Sequence, residues 1–154
     1  MPQIVIEGFE GFRALVGAVT PPTDWLDVDQ ARVDAFAACT GDTQWIHVDP
    51  VRAAASEFGG TIAHGYLTLS LVSALFFGHF DVRGVGAPLN LGLDKVRFPR
   101  PLRVGTRVRA RFTIAEAVDA RHGLRVIIHA AIEPENSPKP VCIADQVVLY
   151  RPVA

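Results

Sequence analysis

The chain has 154 residues, 49% hydrophobic and 20% charged, with a formal net charge of −1. This composition excludes an intrinsically disordered chain, and the length suits one domain, expected over 1–154, with a substantial core. The near-neutral balance gives no electrostatic reason to expect nucleic acid or an anionic membrane as partner.

In chain order, Phe9, Phe12, Leu15 and Val16 recur at helical spacing and predict a short first helix within 7–16. Residues 1–7 have neither a basic start nor an extended apolar run, so no signal peptide is expected. Thr20-Pro21-Pro22-Thr23 breaks the helix, and 25–28 reads as a short strand. Asp29 is a good N-cap for a second helix with Val33, Phe36 and Ala37 on one stripe, and Gly41 ends it. A polar loop follows over 40–49. Pro50 then suits the first turn of a helix over 51–58, stopped by Gly59-Gly60.

From 64 to 77 the sequence predicts a helix that is apolar on every side and must be enclosed by other elements. Its apolar run over 66–77 is too short to span a bilayer and carries Thr68, Ser70 and Ser73, so a cytoplasmic location is expected. The stretch 76–90, with Gly78, Gly84, Gly86 and Pro88, is expected to be a mobile loop. Four long strands then follow, over 89–98, 103–117, 124–133 and 139–150, punctuated by Gly105-Thr106, His122-Gly123 and Pro134 to Pro138. Arg107, Arg109 and Arg111 alternate with Val108, Ala110 and Phe112, the pattern of a strand with one wet face. One buried helix followed by four meandering strands implies an α+β fold, a curved antiparallel sheet wrapped around that helix. Cys39 and Cys142 lack metal-type spacing and read as reduced, buried thiols.

Within the polar loop, Asp42 and His47 place a carboxylate and an imidazole five residues apart, with Gly41 at the bend. Such a pair has both ingredients for moving protons near neutral pH. Alone, the spacing is more often a helix cap beside a solvated side chain. A second feature adds weight: Ala63-His64-Gly65 opens the apolar helix, whose first-turn N–H groups and dipole suit a developing oxyanion. His79, His122 and His129 have no assigned role. A metal held by His47, Asp49 and His64 is conceivable, but none is expected.

Gly41-Asp42, His47, Asp49-Pro50, Ala54 and His64-Gly65 at the head of an apolar helix together resemble the MaoC-like (R)-specific enoyl-CoA hydratases. The resemblance continues through Lys95-Val96-Arg97-Phe98-Pro99-Arg100-Pro101-Leu102-Arg103-Val104-Gly105. It implies a hot-dog fold and reversible syn hydration of a trans-2-enoyl thioester, without cofactor. Asp42 and His47 match the family's catalytic pair, and Gly65 its main-chain oxyanion donor. Gln44, Trp45, His64, Asn90 and Arg97 are the expected substrate-binding residues. Many members have Asn-Pro after the catalytic Asp; here Thr43-Gln44-Trp45-Ile46 stands instead, closer to a NodN-like or mycobacterial dehydratase subgroup.

The implied partners are an acyl-CoA or acyl-carrier-protein thioester and a second copy of the chain in a homodimer. One or two cations among Lys95, Arg97, Arg100, Arg103, Arg107, Arg109 and Arg111 could meet the carrier, the rest forming a solvated sheet face. The acyl chain is expected alongside the central helix, bounded by Trp45 and residues of 76–90. Two alternatives are a hot-dog thioesterase and a non-catalytic acyl-thioester-binding module. Thioesterases of this fold usually carry an acidic residue on or beside the central helix, and 64–77 has none.

Overall fold

The computed structural model describes residues 4–153; Met1, Pro2 and Gln3, which open the segment examined for a signal peptide, lie outside them. In chain order the elements are β1 (Ile4–Glu7), α1 (Gly8–Ala14), β2 (Leu26–Val28), α2 (Gln30–Thr40), α3 (Trp45–Val48), α4 (Pro50–Ala54) and α5 (Gly65–His79). They are followed by β3 (Phe80–Arg83), β4 (Pro88–Arg97), β5 (Thr106–Ala120), β6 (Gly123–Pro134) and β7 (Cys142–Tyr150).

Strict alternation builds the main sheet. Val108, Ala110, Phe112 and Ile114 of β5 and Leu124, Val126, Ile128, Ala130 and Ile132 of β6 are all buried, because a period of two puts them on one face. Arg107 pairs with Glu135 on the other face, and Arg109 and Arg111 share Glu133, so the expected wet face is present. The five strands are antiparallel and lie in the order β2-β5-β6-β7-β4. Gly123, at φ 149°, closes the β5–β6 turn where a Cβ would stand 2.1 Å from the Tyr150 carbonyl oxygen. Only glycine fits that position.

Against the inner face lies α5, burying Leu67, Leu71, Val72, Leu75 and Phe76. Phe76 meets Phe80 at 4.6 Å and Phe112 edge-on at 5.3 Å between ring centroids. Each such ring contributes roughly 1.5–3 kcal/mol through burial. A curved antiparallel sheet around a central helix is the hot-dog fold. The enclosure is incomplete, however: Tyr66 is 71% and Phe77 48% exposed, so one face of α5 is open in the isolated chain.

Several local expectations are corrected. Within 76–90, expected to be a mobile loop, Phe80–Arg83 is a strand paired in parallel with β1. Ile6 and Phe80 are buried by that pairing. Four-residue strands whose partners lie far apart in sequence carry no periodic signal. The loop over 40–49 contains the single turn α3, and the helix expected over 51–58 ends at Ala54. Cys39 is exposed, because the stripe of Val33 and Ala37 leaves it on the solvent side of α2. Cys142 is buried as expected, and burial pushes its thiol up to about 11.

Candidate functional site

Two helix ends bring the site together. The Asp29 carboxylate accepts the Arg32 N–H and starts α2, and Gly41 stops it in the left-handed region at φ 79°. That reversal delivers Asp42 beside the N-terminus of α5. Asp49 caps α4 by accepting the Arg52 N–H, so it serves the backbone and not the site. The functional atoms of Asp42, His47 and His64 all lie within 4.8 Å of one another.

His47 is buried and its tautomer is set by a carbonyl. Nδ1 lies 2.6 Å from the Ile62 oxygen, which can only accept, so Nδ1 carries the hydrogen and Nε2 keeps its lone pair. Burial is the largest influence on its basicity and lowers its pKa; His64 acts in the same direction, while the Ile62 bond and Asp42 raise it. The net shift is downward from 6.5, which leaves a neutral imidazole at neutral pH. The His47 carbonyl accepts from Gln30 Nε2 at 2.7 Å, and Gln30 Oε1 accepts from the buried Thr61 hydroxyl at 2.6 Å. Ile62 is itself held, its N–H bonding the Ile46 carbonyl and its backbone bridging to Arg103.

His64 stacks on His47 with ring centroids 3.7 Å apart and an interplanar angle of 26°. Its Nε2 donates to the Asp42 main-chain carbonyl at 2.9 Å, while its buried Nδ1 has no partner among the described residues. One side chain therefore touches both the Asp42 loop and the His47 ring. Next in the chain, Gly65 begins α5, where the N–H has no intrahelical acceptor. A Cβ on Gly65 would sit 3.3 Å from the Phe98 ring, so glycine keeps a narrow approach open. Asp42, His47, His64 and Gly65 were all singled out in the sequence. Gln30, Ile62 and Phe98 were not: two act through contacts distant in sequence, and Ile62 acts only through its main chain.

The other expected binding residues are spread more widely. Gln44 is the exposed N-cap residue of α3, and Trp45 begins that turn with Arg52 4.3 Å over its ring. Arg97 ends β4 and bonds the Val96 carbonyl. Asn90 lies further along β4, on Gln146. Phe76, Phe77 and Asn90 line a cavity beside α5, and Trp45 does not line it. Of the basic stretch, Lys95 pairs with Asp145, Arg100 with Ser137 and Arg103 with the Phe58 carbonyl.

Asp42, His47 and His64 form the one group of possible metal ligands among the described residues. No helix among the described residues is long and apolar enough to cross a membrane.

Residues 12–133 match the family described as the MaoC like domain. The chain is 43% identical over 145 residues to the 3-hydroxyacyl-thioester dehydratase Z of Mycobacterium tuberculosis, covering 94% of this chain and 96% of that protein. It is also 43% identical over 139 residues to nodulation protein N of Rhizobium leguminosarum bv. viciae, covering 88% and 86%. In fold it is similar to the unliganded R-hydratase of Pseudomonas aeruginosa, with a TM-score of 0.73, 24% identity, and 88% and 83% of the two chains covered. Fold and relatives together define a hydro-lyase of the hot-dog class. The chain belongs to the MaoC-like dehydratase family.

Proposed function

We propose that the protein catalyses (R)-specific hydration of trans-2-enoyl-CoA to (R)-3-hydroxyacyl-CoA, or the reverse dehydration, with Asp42 and His47 as the proton-transfer pair. One observation carries this reading: His47 Nδ1 is committed to the Ile62 carbonyl, which leaves Nε2 as the acceptor of a ring that has a nitrogen within 4.8 Å of an Asp42 carboxylate oxygen and of a His64 nitrogen at the head of α5. Water held by Asp42 and His47 loses a proton to His47 Nε2, and its oxygen bonds to the β-carbon. The α-carbon then takes up the proton held by the Asp42 and His47 pair, so that one water is added across the double bond and the pair returns to its starting state. The negative charge that grows on the thioester oxygen meets the Gly65 N–H at the positive end of α5. In the same reading Gln44, Trp45 and Arg97 are the residues that would bind the CoA or acyl-carrier-protein handle.

The same reading includes a homodimer. Leu89, Leu91 and Leu93 on edge strand β4 are 45–56% exposed, and Tyr66 and Phe77 on the open face of α5 are exposed as well. A long apolar sheet edge is a surface that folded proteins cover. Light scattering at micromolar concentration should return twice the chain mass, and a fully active monomer would sink this part. The reaction is tested by following the absorbance of crotonyl-CoA with purified protein, and the configuration of the product by chiral chromatography. No change in absorbance with crotonyl-CoA or longer 2-enoyl-CoAs would refute the reading.

A further inference from the structure

The inner face of β7 should be apolar throughout, yet Gln146 stands on it between Ala144 and Val148, opposite Ile128 and 8% exposed. A buried amide on a greasy face is the informative exception in such a core. Its Nε2 donates to Asn90 Oδ1 at 2.8 Å. Asn90 stands opposite Val148 and Leu93 opposite Gln146, and the register shift between Asn90 and Gly92 places both on the helix side of the edge strand. Facing them, Ser73 of α5 has no protein partner among the described residues. Thr68 and Ser70, on the same helix, instead turn their hydroxyls back onto the carbonyls of His64 and Tyr66.

Two hollows meet at these three residues. The larger, about 480 Å³, runs along α5 between Leu69, Val72, Leu91 and Leu93. The smaller, about 110 Å³, is walled by Phe76, Phe77, Ile128, Val148 and Tyr150. Ser73, Asn90 and Gln146 line both, and so form a polar crossbar in a passage whose other side chains are apolar save Ser70, whose hydroxyl is committed to the Tyr66 carbonyl. Whichever way the two amides are turned, their mutual bond uses one carbonyl and one N–H. A second carbonyl, further N–H hydrogens and the Ser73 hydroxyl remain for a ligand.

We propose that this crossbar is a subsite for an oxygen function carried on the acyl chain, a hydroxyl or carbonyl remote from the thioester. The inference rests on the hydratase reading, which puts the thioester at Gly65. Ser73 is eight residues along α5 from Gly65, about 12 Å at the helical rise. An extended chain with bonds of about 1.5 Å covers that span with roughly ten carbons. A purely hydrocarbon chain of that length leaves the spare amide groups without partners, whereas a terminal hydroxyl satisfies them. Shorter chains end within the leucine-lined part and never meet the crossbar.

The test compares kcat/KM for 2-enoyl-CoAs of six, eight, ten and twelve carbons, each with a methyl or a hydroxymethyl end. In the wild type the hydroxyl should cost activity at six carbons. At one length between eight and twelve it should raise kcat/KM by about fivefold or more, the worth of one net hydrogen bond. Gln146→Leu and Asn90→Leu should each bring that ratio to one or below. If the plain substrates turn over and the hydroxyl helps at no length, the crossbar only packs and this inference falls while the hydratase reading stands. If no enoyl-CoA turns over, both fall. A preference that survives both leucine variants would also overturn the inference, and the wild-type series decides even where a variant fails to fold.

Discussion

Gln30 offers the sharpest check on how the site is held, because it touches no reacting atom. Its amide donates to the His47 carbonyl at 2.7 Å and accepts from the Thr61 hydroxyl at 2.6 Å. Gln30→Ala removes the partner of both these groups, and of the exposed Asp34 carboxylate, which water solvates instead. An unsatisfied buried polar group costs about 1–3 kcal/mol. Gln30 is only half-buried, so water replaces part of the loss, and the low end applies to each group: about 2 kcal/mol in all. For a chain of this size that is a fall in Tm of roughly 4–8 °C. Freed at its carbonyl, His47 shifts relative to Asp42, and displacements well under 1 Å lower turnover by about tenfold. Gln30→Glu separates the two effects. It keeps the acceptor for Thr61 but turns a carboxylate oxygen towards the His47 carbonyl and towards the exposed Asp34 carboxylate, a repulsion that water and salt largely screen, so Tm should recover in part while turnover does not. Thermal melts and crotonyl-CoA turnover measure the two quantities. A Gln30→Ala protein with unchanged Tm refutes the energetic reasoning, and one with lowered Tm but full turnover shows that His47 is positioned by other contacts.

Asp42→Asn and His47→Gln should each lower turnover at least about a hundredfold with unchanged circular dichroism; near-normal turnover in either removes that residue from the proton transfer. Because burial lowers the pKa of His47, the acid limb of kcat/KM should have its midpoint below 6.5, and a midpoint above it contradicts the buried, neutral base. The same shift acts on stability: the unfolded chain binds the proton more readily, so stability is complete above about pH 6.5 and is lost as pH falls towards the folded value. His79, likewise lowered mainly by burial, adds to that loss, and the acid-induced decline should be shallower in His47→Gln. His64→Phe keeps a ring on His47 but loses the donor to the Asp42 carbonyl. It should lower kcat about tenfold with KM little changed, and His64→Gln, which can restore the donor, should recover most of it. Gly65→Ala should lower kcat/KM at least about tenfold by crowding the approach to the helix head, with Tm nearly unchanged because the exposed Phe98 ring can give way.

What the sequence made legible follows the range of each signal. Alternation along β5 and β6, the Asp29 cap and the Gly41 stop are local, and each fell where the pattern put it. The apolar character of α5 was equally plain, but its open face was not, because hydropathy does not say whether a neighbour is the same chain or another. β1 and β3 are four residues each, and their pairing joins segments more than seventy positions apart. The site divides in the same way. Asp42, His47 and Gly65 are recognisable as residue types in order. Gln30, the Ile62 carbonyl and the Phe98 ring act through contacts that only the fold creates.

That division bears on why a loop can hold so demanding a geometry. A carboxylate and an imidazole five residues apart would sample many separations in a free loop, and fixing each residue's backbone costs about 1–2 kcal/mol. Here the turn α3 ties the His47 N–H to the Gln44 carbonyl, and further restraints come from outside the loop. Ile62, bridged to Arg103 just before β5, receives the His47 ring; Gln30 from α2 receives its main chain; and His64, at the head of α5, holds the Asp42 carbonyl. The anchors belong to the sheet margin and two helices, whose own positions are set by the buried core. The cost of ordering the loop is therefore offset in part by packing elsewhere, and the intervening residues Thr43 and Gln44 take part in its hydrogen bonds through their main chains alone. Their side chains are free to vary while the carboxylate, the imidazole and the helix head keep their places.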